Sequence, residues 1–260
     1  MPALLPFALA FLLSPQTGWE ARPNRPLEVP AEVHKNVVET LNDALEAQSK
    51  RDYQLSLALL HGVIYQGGVK VAVDPRYPAP NAAAKEGLDR ALRTWEQSLG
   101  NDDPIRFVSD PASAEVKIQF VDKVPRSGHD ALGLIELKKE YRWNNSRYET
   151  IVSGTIYIQT HFEKVPLDTT QYSEVAAHEL GHLLGLEDMP NTGQLMGPML
   201  LDKPVPTPNR REVSAVQFVR NQARRQWNSV LDSMQKDAGS RLGSFQLVQK
   251  SHYLACCTGG

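Results

Sequence analysis

The stretch His178-Glu179-Leu180-Gly181-His182 has the residue types and the spacing to do chemistry. Two histidines four apart on a helix share one face, because a helix turns once per 3.6 residues. Both imidazoles can then reach one metal ion. Glu179 would lie beside that ion with a free carboxylate, placed to act as general base. Gly185 follows the last helical turn, where glycine commonly takes the left-handed conformation that reverses the chain. A reversal there could bring Asp188 back toward the histidines. Two nitrogens and one carboxylate oxygen around zinc leave a fourth position for water, as catalytic sites require. Glu187 is a rival for the third place, and a distant glutamate such as Glu212 is another. The bland alternatives are a core histidine and a solvated loop acid.

The whole run reads His178-Glu179-x-x-His182-x-x-Gly185-x-x-Asp188, followed by Leu195-Met196-Gly197-Pro198. It resembles the signature of the metzincin zinc endopeptidases, a zinc helix followed by a Met-turn. The step from Asp188 to Met196 and the Met-x-Pro ending resemble the matrixin branch. Aspartate as third ligand is similar to snapalysin-like metzincins, where matrixins have histidine; a carboxylate is a harder ligand than imidazole. The resemblance is tight over His178–Pro198 and rests on element order elsewhere. It implies Zn2+ held by His178, His182 and Asp188, with Glu179 as base and Met196 as a structural floor beneath the ligands. Its spacing favours Asp188 over Glu187, and Gly185 and Met196 argue against Glu212. It implies a zinc-dependent endopeptidase acting on proteins or peptides; calcium stays open, with no site assigned. Methionine alone is a common core filler. The alternative is a catalytically weak zinc protein that binds a partner through an N-terminal helical hairpin. An intact Glu179 argues against it.

Such side chains need a rigid helix and a sheet beside it. Asp168-Thr169-Thr170 offers an N-cap, and Ala176, Leu180, Leu183 and Leu184 form an apolar stripe. Upstream, Val69–Val73 alternates as a strand, and a helix follows with Leu88, Ala91, Leu92, Trp95 and Leu99 on one face. Ile105–Val108, Val116–Phe120, Leu132–Tyr141 and Ile151–Thr160 read as further strands, the last two joined by the polar stretch Arg142–Thr150. Val213–Met234 is a long amphipathic helix whose arginines Arg210, Arg211, Arg220, Arg224 and Arg225 read as a solvated face. The expected class is α+β: a twisted, mostly parallel five-stranded sheet with an antiparallel edge strand, the zinc helix, the Met-turn and a C-terminal helix. In the fold the resemblance implies, Leu132–Tyr141 is the edge that takes up substrate, giving Leu132 and Gly133 a binding role. Pro198 and Leu200 would wall the pocket for the side chain after the scissile bond. The bland readings are an edge covered by the Trp143–Thr150 loop and plain core packing. His129-Asp130 and His161 read as solvated loop groups rather than a second metal site.

The chain divides into an apolar N-terminal signal peptide (1–18), a proline-rich linker (19–31), a helical hairpin (32–66), the catalytic domain (67–238) and a tail (239–260). The run Ala3–Leu13 is too short to span a bilayer. Its position resembles a signal peptide and suggests a secreted or cell-envelope protein without stable membrane insertion; a buried N-terminal helix is the alternative. The hairpin reads as a pro-segment, a partner-binding appendage or a helical layer on the catalytic domain, the last being favoured. No cysteine precedes His178, so the cysteine block of matrixin pro-segments is absent. Cys256-Cys257 provides no disulfide framework; a tail thiolate on the zinc and a frayed terminus are its two readings. A formal net charge of −2 argues against nucleic acid as the main partner. The oligomeric state is not readable.

Overall fold

The computed structural model describes residues 28–100, 102, 104–125 and 131–237, together with the backbone of a strand at 251–255. The expected signal peptide, most of the linker, His129, Asp130, Cys256 and Cys257 lie outside the described residues. Two helices, α1 (Lys35–Ser49) and α2 (Tyr53–Ile64), precede β1 (Val69–Val73), α3 (Ala82–Leu99), β2 (Ile105–Phe107) and β3 (Val116–Val121). Next come β4 (Gly133–Asn144), β5 (Arg147–Gln159), a small hairpin of β6 (His161–Phe162) and β7 (Val165–Pro166), then α4 (Thr169–Leu183) and α5 (Arg210–Lys236). A final strand, β8, spans Ser251–Ala255.

The sheet order is β2-β1-β3-β5-β4-β8. The pairs β1–β2, β1–β3 and β3–β5 are parallel, and β4 runs antiparallel to β5. The class is therefore α+β: five strands form the expected mostly parallel sheet with antiparallel β4 last, and β8 adds a sixth strand beyond it. Parallel strands are buried on both faces and need near-continuous apolar residues. Ile118 and Phe120 on β3 and Ile156 and Ile158 on β5 meet that need and are fully buried. Side chains of this size each contribute about 1.5–3 kcal/mol when removed from water. Trp95 of α3 is buried against α4 and donates its indole N–H to the Ala177 carbonyl at 2.8 Å. Phe120 meets the Tyr172 ring edge-on at 6.1 Å, which sets α4 on the sheet.

Two elements differ from the sequence expectation. The polar stretch Arg142–Thr150 is not a long loop: β4 and β5 pair through to Asn144↔Arg147, around Asn145-Ser146. Asn145 has φ of 49°, a left-handed turn conformation that asparagine tolerates. The outer edge of β4 is lined not by that loop but by β8, antiparallel from Glu140↔Ser251 to Glu136↔Ala255. In the helical hairpin, Leu41, Leu59 and Leu60 join the same apolar core as the sheet.

The arginines of α5 also divide. Arg220 is 4% exposed, bonding the Ile64 carbonyl at the end of α2 and both oxygens of Asp102. Arg224 reaches the same carboxylate at 2.6 Å. A guanidinium has donors enough to satisfy a carbonyl and a carboxylate together, so burial is tolerated. Burial works to raise the Asp102 carboxyl, but the two arginines hold it down at about 2. A folded-state value below the unfolded value, near 3.9, stabilises above that unfolded value; the stabilisation is lost as pH falls toward 2. Asp102→Asn is expected to cost about 2 kcal/mol at pH 6 and much less at pH 2.5. Thermal melts of both chains at the two pH values read this; a pH-independent difference contradicts it.

Candidate metal centre

Helix α4, which carries His178 and His182, is fixed at both ends. Asp168 accepts from the Thr170 and Gln171 amides, and Gln171 returns a bond to the Asp168 amide, forming a capping box. At the other end Gly185 has φ of +94°. The Gly185 amide bonds the His182 carbonyl at 2.9 Å and the Leu186 amide bonds the Gly181 carbonyl at 3.0 Å. This pair of reversed bonds is the Schellman ending, which needs a residue free to adopt positive φ at that point.

The reversal brings Asp188 back to the helix. Its Oδ1 lies 3.2 Å from His178 Nε2 and 3.2 Å from His182 Nε2, and the two Nε2 atoms are 3.1 Å apart. Ligands about 2.0–2.1 Å from a tetrahedral zinc lie roughly 3.3 Å from one another, close to this triangle. The tautomers agree. His178 Nδ1 is 2.7 Å from the Leu195 carbonyl and His182 Nδ1 is 3.0 Å from the Leu186 carbonyl. A carbonyl can only accept, so each Nδ1 carries a proton; the neutral ring that metal binding requires then has its lone pair on Nε2, facing inward. Two lone pairs and a carboxylate oxygen meeting this closely suit a shared cation. Among the described residues, this is the group of His, Cys, Asp or Glu side chains close enough to share an ion. Nitrogen donors suit zinc and not calcium, which takes oxygens. No calcium site is found among the described residues.

Glu179 is buried on the same helix, and its Oε2 has no hydrogen-bond partner among the described residues. Burial pushes its carboxyl up, with the two histidines opposing. For Asp188 burial works in the same direction, but the adjacent His178 and His182 outweigh it and hold the carboxyl well below the usual range. For His178, burial opposes charge, but Asp188, Glu179 and the Leu195 carbonyl together raise it.

This geometry lies within a longer match. The matrixin peptidase family model matches residues 69–218. The chain belongs to the matrixin family. No curated protein matches it. The matched span runs from β1 into α5 and includes the whole metal centre, while α1 and α2 precede it. This matrixin is a metallopeptidase of metzincin-like fold carrying an additional helical layer.

Within the matrixin domain, Met196 is fully buried, its Sδ lying 2.4 Å from where a Cβ on Gly181 would stand. That places the thioether directly beneath α4. The Met196 amide donates to Glu212 Oε1 at 2.7 Å, and its carbonyl accepts from the Met189 amide at 2.7 Å. Glu212 is fully buried, and its other oxygen caps α5 by accepting from the Asn209 amide at 2.6 Å. Both oxygens are thus bound to backbone, away from the histidine–aspartate triangle. The sequence Asn209-x-x-Glu212 carried the capping-box signal for this role. Glu187, the other rival, points its carboxylate toward His34 at 3.6 Å.

Gly133, at the start of β4, lies against Glu179: Oε1 is 2.3 Å from the position a Cβ would take. The front end of β4 therefore abuts the buried carboxylate. Leu132 buries its side chain, and its carbonyl accepts from the Gln159 amide at 2.8 Å. Pro198 and Leu200 are exposed beyond the Met-turn, with Met199 between them packed on the core. His161 lies on β6 beside Thr160, with its Nδ1 3.0 Å from the threonine hydroxyl.

Proposed function

We propose that this matrixin is a zinc-dependent endopeptidase in which His178, His182 and Asp188 hold the ion and Glu179 is the general base. The observation that carries this reading is the triangle of Nε2, Nε2 and Oδ1 with an unpartnered Glu179 oxygen on the same helix. When bound, zinc supplies Lewis acidity, polarising a peptide carbonyl and acidifying water beside it. Glu179 takes the proton from the attacking water and returns it to the leaving amine. Burial raises its proton affinity toward what that transfer needs. The Leu195 and Leu186 carbonyls keep both imidazoles in the tautomer that presents Nε2. Met196 supports the helix from below.

The substrate is a protein or peptide taken up in extended form along the first residues of β4, beside Gly133. Among the described residues β8 pairs with β4 from Glu140 to Glu136, and Gly133 is the residue of β4 that abuts Glu179. Main-chain hydrogen bonds there would be indifferent to side-chain identity. Pro198 and Leu200 favour an apolar residue after the scissile bond. No helix among the described residues is long and apolar enough to cross a membrane. The N-terminal apolar run supports action outside the cytoplasm. A library of extended peptides, incubated with the chain, is expected to be cut within the chain rather than at its ends. Cutting stops with a zinc chelator and returns on restoring zinc. Cleavage that persists in chelator contradicts the reading.

A further inference from the structure

The loop that carries Asp188 is held by a segment far away in sequence. Val33 and Leu186 form an antiparallel bridge. On one side of it the His34 amide donates to the Gly185 carbonyl at 2.9 Å; on the other, the Glu187 amide donates to the Glu32 carbonyl at 2.8 Å. Val33 and Leu186 are both buried, and Val37 of α1 packs against Gly185, its Cγ2 3.0 Å from where a Cβ would stand. Residues 185–187 are the three that lead into Asp188, and the Leu186 carbonyl accepts from His182 Nδ1. Glu32–His34 thus fixes, from outside the matrixin match, both the approach to one ligand and the orientation of another.

From this pairing we infer that Glu32–His34 is a positioning strap of the metal centre, and that α1 and α2 are a permanent part of the enzyme rather than a removable segment. The inference rests on the metal reading above. The strap works through its backbone. Without it the turn after Gly185 keeps its helix-end bonds, the bond from His182 Nδ1 to the Leu186 carbonyl and that from the Met189 amide to Met196, and Asp188, between them, samples positions away from the histidines. Outer groups that orient ligands typically change metal affinity by about 10- to 100-fold. Coupling is reciprocal, so a bound ion must steady the strap as much as the strap steadies the ion. The hairpin has its own anchors, which keep α1 in place when the strap is weakened. Gln48 reaches Ser229 at 3.0 Å and Tyr53 donates to Asp237 at 2.6 Å.

Two variants at one position isolate the strap. His34 has φ of −62°, a value proline shares, so His34→Pro deletes the N–H that bonds Gly185 without imposing a new backbone angle. His34→Ala keeps that N–H. Both lose the imidazole that caps α1 by accepting from the Asn36 amide. Zinc affinity, read by competition with a chromogenic chelator, is expected to be about 10- to 100-fold weaker in His34→Pro than in His34→Ala. Equal affinities in two folded variants overturn the strap. A second measurement needs no variant: adding zinc to the intact apo chain should slow hydrogen exchange at the His34 and Glu187 amides by tenfold or more. Unchanged exchange at those amides, with zinc bound, also overturns it. A chain that binds no zinc at all instead removes the metal reading beneath it.

Discussion

Glu179→Ala is expected to lower kcat by between about 10²- and 10⁴-fold while the chain still binds one zinc, because a positioned proton-transfer group typically contributes that much. The carboxylate is not one of the three groups at the corners of the triangle, so the ion should stay. Its Oε2 has no partner among the described residues, so little structure depends on it. Removing a buried group whose proton affinity burial has raised costs the fold less than removing a bonded one. Glu179→Gln should behave similarly, since an amide keeps the shape and cannot take the proton. The test is single-turnover peptide cleavage paired with metal content. Activity within tenfold of wild type in both variants would remove Glu179 from the chemistry. Loss of zinc in both would make it a ligand.

Asp188→Ala is expected to weaken zinc by more than the roughly 100-fold at the upper end for groups that only orient ligands. Both histidines stand on the helix itself, their Nε2 atoms 3.1 Å apart, so two ligands survive the loss of the carboxylate. A third donor at 3.2 Å from each is lost, and Glu187 is turned toward His34 and strapped by its amide. The variant should bind zinc weakly and be inactive at trace zinc. Asp188→His would restore a donor at the same bend and should recover part of the affinity. Full zinc retention by Asp188→Ala would show that another residue is the third ligand.

Most of the centre was legible in the sequence, because it is built from local rules. Helical spacing puts His178 and His182 on one face, and Gly185 must reverse the chain where the helix ends. Asp188 sits at the step that such a reversal brings back. The strands were legible wherever apolar alternation meets a buried sheet, as in β1 and β3. The β4–β5 turn was misread because both faces of that ribbon end are exposed, so polar residues there look like a loop. Glu212 had a visible capping signal, but its second bond to the Met196 amide is a long-range contact that no local pattern records. Arg220 looked like any solvated arginine on an amphipathic helix; its burial depends on Asp102 and Ile64, far off in sequence. The strap is the extreme case. Glu32–His34 and Gly185–Glu187 lie about 150 residues apart, and a backbone pairing leaves no mark in side-chain type.

The central claim is that two imidazoles and one carboxylate share a single ion. X-ray absorption at the zinc edge, on the chain loaded with one equivalent, measures that directly. Nitrogen and oxygen ligands are expected at about 2.0–2.1 Å, with the more distant scattering of two imidazole rings, and one light ligand is expected to be lost in Asp188→Ala. A shell containing sulfur, fewer than two imidazoles, or an unchanged spectrum in Asp188→Ala would contradict it.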